Sequence, residues 1–116
     1  MAAYTYPGAG ELVPYDHEPI TVSTVSIGFT AAKIIVSDGQ PNDPKRRFAK
    51  SAFVTVESQP IRCRWDGGAP VGGSSGHLLN PGDSIEFTGE GTIKKVRFIR
   101  DGGVDATIRV TYGRTA

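Results

Sequence analysis

Apolar and polar positions alternate along several segments of this chain, most clearly near its C-terminal end. In residues 106–112 every second position is apolar, and Thr107, Arg109 and Thr111 occupy the positions between. Residues 52–57 repeat the pattern over a shorter length. Because successive side chains of a β-strand point to opposite faces, residues 106–112 predict a strand with one buried face, and residues 52–57 predict a strand with two usable faces.

The buried faces of these strands predict the core. Alternation within residues 61–65 directs Ile61, Cys63 and Trp65 to one side, which we take to be the inner side. The residues that we expect to be largely buried are Ile61, Trp65, Phe98, Ile108, Val110 and Tyr112. On this prediction, Trp65→Ala costs about 3–5 kcal/mol of stability, as for other large buried aromatic residues.

Turn signals separate the predicted strands. Residues 80–83, Asn-Pro-Gly-Asp, place a proline and a glycine where the two corners of a β-turn need them. Residues 101–103, Asp-Gly-Gly, predict a hairpin turn, and residues 37–47 predict a loop. Fifteen glycines and eight prolines leave little room for helices. The pattern predicts an all-β fold over residues 20–116, an antiparallel β-sandwich or jelly roll of about six to eight strands.

The first nineteen residues differ from the rest, because prolines and glycines interrupt their apolar residues. A proline cannot donate to a sheet's hydrogen-bond ladder, which disfavours a central strand here. We therefore predict an irregular, extended N-terminal arm over residues 1–19, either frayed at the chain end or ordered only on a partner. On the second interpretation, deleting residues 2–19 leaves the sandwich folded but sharply weakens partner binding.

Two groups of side chains are candidate partner contacts. The arm carries aromatic and apolar residues that no predicted strand covers, and the loop at residues 37–47 ends in a basic cluster. The candidate contact residues are Tyr4, Tyr6, Leu12, Val13 and Tyr15 in the arm and Lys45, Arg46 and Arg47 in the loop. For the basic cluster, a solvated loop end is the alternative interpretation.

Charge and cysteine content exclude several classes of partner and fold. A net charge of +1 provides no strong field, so we expect neither nucleic acid nor a membrane as partner. The single cysteine, Cys63, excludes an internal disulfide. The sequence indicates neither a signal peptide nor an apolar stretch long enough to span a bilayer.

The sequence contains little that supports catalysis. Its two histidines, His17 and His77, do not form the paired motif of a cupin metal site, and Cys63 alternates with core positions as a buried thiol does. We therefore expect no catalytic, cofactor-binding or metal-binding residues. An exposed Trp65 would offer a stacking platform for a sugar ring, but its phase with Ile61 favours the core.

Arginines at alternating strand positions provide one more binding hypothesis. They can line a basic sheet face that pairs with acidic groups of a partner, or they can lie in solvent without a partner. The arginines concerned are Arg62, Arg64, Arg97, Arg100 and Arg109.

Three sequence blocks carry a resemblance to a known family. They are AFVTVESQPIRCRWDG, GHLLNPGDSIEFTG and VRFIRDGGVDATIRVTYGR, which lie within residues 52–114. In this order and spacing they resemble a family of small virion proteins encoded in the structural modules of tailed bacteriophages. The resemblance covers a little more than half of the chain and excludes the N-terminal arm and the loop at residues 37–47.

The resemblance implies a non-enzymatic jelly-roll cement or decoration protein. Such a protein is made in the cytoplasm of the bacterial host and sits on the exterior of the capsid, where it stabilises the coat lattice. Its partners are then the major capsid protein and further copies of itself, as a dimer or trimer, and it needs no cofactor. The alternative is a β-sandwich module of a phage tail or fibre that binds a receptor or glycan.

Overall fold

Strands make up most of the secondary structure in the computed structural model, which describes residues 4–6, 10–36 and 47–115. In chain order, the strands are β1 (Tyr4–Tyr6), β2 (Gly10–Val22), β3 (Ile35–Val36), β4 (Arg47–Phe48), β5 (Ser51–Glu57), β6 (Ile61–Arg64), β7 (His77–Leu79), β8 (Ser84–Thr88), β9 (Arg97–Arg100) and β10 (Ala106–Thr115). Two short helices, α1 (Ala31–Ile34) and α2 (Glu90–Lys95), interrupt them. The predicted all-β class is confirmed.

The strands form two antiparallel sheets with jelly-roll connectivity. The larger sheet has the order β1-β2-β10-β5-β8, the smaller sheet has the order β7-β6-β9, and β3 and β4 form a separate two-stranded ladder. From β5 onward, the chain crosses between the two large layers at β5–β6, β7–β8, β8–β9 and β9–β10. A backbone bridge from Ile27 to Phe98 places the segment after β2 beside β9, on the side opposite β6. This alternation between layers is the path of a jelly roll.

The core lies between the two sheets and largely follows the predicted alternation. Ile61, Phe98, Ile108, Val110 and Tyr112 are each at most 1% exposed, which confirms their predicted burial. Cys63 is also buried. Phe29 packs edge-on against three of the aromatic core rings, those of Phe87, Phe98 and Tyr112.

The predicted N-terminal arm is the main error in the domain boundaries. Residues 10–19 belong to β2, which pairs with β10 from Leu12 to Val22. β1 continues this sheet by pairing residues 4–6 with residues 10–12. The sandwich therefore begins well before Ile20, and the segment is part of the domain's own sheet.

The position of β2 explains how its prolines are tolerated. Between Val13 and Val22, described strands pair with only one side of β2, and an edge strand can accommodate a residue that lacks a backbone donor. Pro19 lies opposite Arg109, and Pro14 lies opposite Gly113. Tyr15 has no partner in β10 because the register shifts there, so it is the extra residue of a β-bulge. Proline's missing backbone donor disfavours a central strand, as expected from the sequence, but this restriction does not apply to an edge strand.

The prediction that Trp65 belongs to the core is wrong, since the residue is 36% exposed. β6 ends at Arg64, one residue earlier, and the last pair of its ladder is Arg64 with Arg97. Trp65 continues the inward phase of Ile61 and Cys63, but it does so beyond the paired part of the strand. Its indole therefore lies at the rim of the sandwich, with one part against the core and another in solvent.

The predicted turns have three different outcomes. The turn at residues 80–83 is confirmed: Gly82 has a φ of 91°, and the Asp83 amide donates to the Asn80 carbonyl at 2.9 Å. The hairpin predicted at residues 101–103 is wrong, because β9 and β10 belong to different sheets and the segment carries the chain between them. Residues 37–46 of the predicted loop lie outside the described residues, and Arg47 belongs to β4.

Candidate functional site

The candidate contact residues of the N-terminal segment lie together at one corner of the larger sheet. Tyr4 is the register partner of Leu12, and Tyr6 is the register partner of Gly10. On its other side, Leu12 pairs with Thr115, while Val13 pairs with Arg114. β1 therefore extends the sheet beyond β2 at the point where the last residues of β10 end.

Tyr15 lies differently from the prediction, because its own domain covers much of its ring. The ring stacks on that of Tyr112 with a centroid distance of 6.3 Å, and its hydroxyl donates to the Lys33 carbonyl at 2.6 Å. Burial raises the pKa of Tyr15 to about 12, and the nearby carboxylate of Asp16 adds to the rise. The partly buried Tyr15 ring is thus packed within its own domain.

A set of polar contacts holds α1 against β2. The Tyr112 hydroxyl donates to Glu18 at 2.6 Å, and the Thr30 hydroxyl donates to the other oxygen of the same carboxylate at 2.7 Å. Lys33 forms an ion pair with Asp16 at 2.9 Å, which lowers the pKa of Asp16 through the hydrogen bond. These contacts fix the start of α1, and therefore β3, beside the bulged part of β2.

The two predicted contact segments meet at the same end of the sandwich. The β3–β4 ladder pairs Val36 with Arg47, so it carries the segment of the basic loop. The Lys50 amide, three residues after Arg47, donates to the Gly113 carbonyl at 2.8 Å, and Gly113 is the register partner of Pro14. We call this region the hairpin end, defined as β1, residues 10–15 of β2, β3, β4 and residues 113–115 of β10. Lys45 and Arg46 lie outside the described residues.

The arginines divide between surfaces instead of lining one face. Arg62, Arg64 and Arg97 alternate with buried neighbours on β6 and β9, which places them on the outer face of the smaller sheet. Arg109 lies on the larger sheet, where it forms an exposed ion pair with Glu57. Arg100 bonds to Asp105 in the crossing between the sheets. The hypothesis of a single basic face formed by all five arginines is therefore wrong.

A second surface region surrounds Trp65, at the end of β6. The indole stacks on the imidazole of His77, with ring centroids 4.5 Å apart and planes inclined by 17°. Phe87, a core residue, meets the indole edge-on at 5.6 Å. His77 opens β7 and is the register partner of Cys63, so the strand pairing itself brings the two rings together.

A charged pair lies beside this aromatic stack. The Arg64 guanidinium donates to both oxygens of Asp66, at 3.1 Å from Nε and 2.6 Å from Nη2. These hydrogen bonds, with one from the Gly68 amide, lower the pKa of Asp66 to about 2. Residues 64–66 with residues 76 and 77 line a shallow cleft of about 350 Å³. We call this region the Trp65 cleft.

The turn residues after Trp65 indicated that this side chain lies at the end of its strand, but the alternation of residues 61–65 favoured a core position instead. Asp66-Gly67-Gly68 immediately follows Trp65, and such a turn marks the end of the strand and of its coverage. The stack with His77 depends on pairing between strands separated by a long loop, so local pattern did not reveal it. Asp66 was interpreted only as a turn residue.

The remaining sequence candidates have no shared site. His17 is exposed on β2, and His77 lies on the other sheet against Trp65. Within residues 4–6, 10–36 and 47–115, no group of three or more histidine, cysteine or acidic side chains has an arrangement that could hold a metal ion. In the same part of the chain, neither helix has the length and apolar character needed to cross a membrane.

Comparisons with protein-family models, with curated proteins and with solved structures each return no match to this chain.

Proposed function

We propose that this chain is a non-enzymatic virion structural protein, a cement or decoration protein that binds the outer surface of a tailed phage's coat lattice. The observation that carries the proposal is the hairpin end. The part of β2 that carries arm candidates and the start of β5, which follows Arg47 of the basic cluster, both meet Gly113 there, through the Pro14–Gly113 pair and the Lys50–Gly113 hydrogen bond. The resemblance of residues 52–114 to phage virion proteins supports the class of partner.

The hairpin end suits binding to a large protein lattice. β1 adds a short strand to the larger sheet, and the edge of an added strand can offer backbone groups to a partner. A modest contact of this kind is sufficient when many copies bind a repeated lattice, because tethering between copies adds avidity. Self-association as a dimer or trimer at symmetry axes of the capsid would supply that coupling.

Two measurements test the proposal. Quantitative mass spectrometry of purified virions should find the chain at a copy number comparable with that of the major coat protein. Purified chain should also co-sediment with coat particles that lack it. Absence from virions would contradict the proposal at once.

Charge-removal variants test the location of the contact. Replacing Lys45, Arg46 and Arg47 with alanine should weaken co-sedimentation, whereas Arg109→Ala should not. Arg109 is a suitable control because its ion pair with Glu57 is exposed at both partners, and such pairs contribute about 0–1 kcal/mol. The opposite ranking of the two variants would move the contact to the outer face of the larger sheet.

A tail or fibre module that binds a receptor or glycan is the second candidate. The exposed indole of Trp65 favours it, because the sequence-based objection to a sugar platform was that Trp65 would be buried.

A further inference from the structure

The Trp65 cleft presents an aromatic surface that the core supports from below. Trp65 is 36% exposed, and its contact with the buried Phe87 ring holds the indole against the core. His77, itself exposed, stacks face to face on the indole at 4.5 Å, so a ligand would meet the ring surface that this stack leaves open to solvent. A large exposed ring that is held in one orientation is a ready stacking surface, since little conformational entropy is lost when a ligand binds.

The Arg64–Asp66 pair places hydrogen-bonding groups of both kinds beside the rings. Asp66 has a side chain that is 62% exposed, and a carboxylate has about four acceptor sites. The Asp66 carboxylate accepts hydrogen bonds from Arg64 Nε, Arg64 Nη2 and the Gly68 amide. Arg64 has five N–H donors, of which three are used in bonds to Asp66 and the Ala69 carbonyl. Donors and acceptors therefore remain for a ligand.

The loop that closes the cleft is fixed by close packing and hydrogen bonds. A Cβ on Gly68 would lie 2.5 Å from the Arg64 guanidinium, so the absence of a side chain lets the backbone lie against that group. Gly76 has a φ of 110°, and a Cβ there would lie 3.0 Å from the Cys63 carbonyl oxygen. At the far end of the loop, Asp101 accepts from Arg62 at 2.6 Å and from the Gly73 amide at 2.9 Å. The cleft is thus formed before any ligand arrives.

We propose that the Trp65 cleft binds a saccharide, with one pyranose ring stacked on the Trp65–His77 surface and its hydroxyls bonded to Asp66 and Arg64. A pyranose has an apolar face of C–H groups and a rim of hydroxyls that both donate and accept. The cleft offers the matching combination, since a flat aromatic surface lies next to a carboxylate and a guanidinium. Sites for small ligands commonly combine apolar walls with a few fixed polar groups in this way.

A saccharide fits this chemistry better than the other ligands that stack on an indole. An anionic ligand would gain little binding free energy here, because Asp66 already neutralises the charge of Arg64. A proline-rich peptide would use the ring but would leave the carboxylate without a donor from most of its backbone, because proline has no N–H. The proposal is independent of the proposed capsid function, since either a capsid or a tail protein can carry a glycan site.

The chain provides its own reporter for the test, because Trp65 is its only tryptophan. The full chain is first applied to an array of immobilised glycans, and the bound sugars are then titrated in solution while Trp65 emission is recorded. We expect a saturable change in emission with at least one pyranoside. Asp66→Asn should weaken binding roughly tenfold or more, as loss of a charge-assisted hydrogen bond does.

Matched variants separate a site from a general effect of aromatic exposure. Phe53→Ala is the control, since Phe53 is 42% exposed on the larger sheet and outside the cleft. It should bind the sugar as tightly as the parent. Trp65→Ala should abolish saturation-transfer NMR signals from the sugar. If Asp66→Asn does not fold, His77→Ala tests the same surface while leaving the Arg64–Asp66 pair in place.

Three results would overturn the proposal. They are an array without a bound glycan, a titration in which emission follows a proline-rich peptide but no sugar, and undiminished sugar binding by folded cleft variants. None of these results affects the copy number of the chain in virions, so failure of the saccharide site remains distinct from failure of the capsid proposal.

Discussion

Tyr15 and Trp65 lie in opposite environments from those that their sequence neighbourhoods predict. Tyr15, surrounded by prolines, was expected to be uncovered, yet its ring stacks on Tyr112 and its hydroxyl is bonded to Lys33. Trp65, in phase with Ile61 and Cys63, was expected in the core, yet it is 36% exposed. The first region is a self-contained part of the sandwich, and the second presents an aromatic side chain at the rim.

The difference between Tyr15 and Trp65 shows that alternation of apolar and polar residues predicts the direction of a side chain but not its burial. Alternation gives the direction of a side chain relative to its strand, but burial requires that something cover that direction. Trp65 points inward one residue beyond the β6 ladder, where coverage is incomplete. Tyr15 interrupts the alternation because it is the extra residue of a bulge, and bulges redirect side chains.

The largest expected effect tests whether the N-terminal segment belongs to the fold. Deleting residues 2–19 removes most of β2 and its pairing with β10, so we expect the chain to lose cooperative folding. Circular dichroism melting is the measurement. A truncated chain that melts cooperatively near the parent temperature would restore the original idea of a separable arm.

A pair of aromatic deletions sharpens the comparison within the core. Phe98→Ala should cost about 3–5 kcal/mol, because Phe98 is fully buried. Trp65→Ala should cost less, about 2 kcal/mol, because part of the indole already lies in solvent. Urea unfolding of both variants gives the two costs. Equal costs would mean that Trp65 is as well packed as the core.

A smaller effect is expected from removing the Tyr15 hydroxyl. Tyr15→Phe keeps the stack on Tyr112 but removes the hydrogen bond to the Lys33 carbonyl, so it should cost about 1 kcal/mol. Urea unfolding again measures the change. A cost near zero would argue against a contribution of the Tyr15 hydroxyl to stability.

Alkaline titration tests the same environment by another observable. The folded pKa of Tyr15 is raised from 10.0 to about 12 by burial, and burial also raises the pKa of Tyr112. Because the folded pKa of Tyr15 lies above the unfolded value of 10.0, the protonated hydroxyl stabilises the folded chain. This contribution is fully present below pH 10.0 and is lost as pH rises toward 12. Absorbance of tyrosinate should therefore leave Tyr15 un-ionised at pH 11, and comparison with Tyr15→Phe identifies its step. Ionisation near pH 10 would show that the ring is exposed.

Sequence reasoning recovered the parts of the fold where pattern and coverage agree. β10 is central, with neighbours on both sides, and its alternating residues from Ala106 to Tyr112 are buried as expected. The turn at residues 80–83 followed from its proline and glycine. In both cases, the residues of the segment itself were sufficient to predict its structure.

The errors arose where distant pairing decides the outcome. The prolines of β2 suit an edge, but only the strand order reveals that β2 has one. The Trp65–His77 stack depends on the pairing of β6 with β7, and the convergence at the hairpin end depends on Gly113. These juxtapositions link residues far apart in the sequence, so no local pattern contains them.

The most direct test of the proposed function is co-sedimentation of a shorter deletion, residues 2–9, with coat particles of the same virus. This deletion removes β1 and residues 7–9 but retains all of β2, so the sandwich should stay folded. We predict that the folded variant binds the particles far more weakly than the parent chain does. Binding at the parent's level by the folded deletion variant would contradict a contact through the hairpin end.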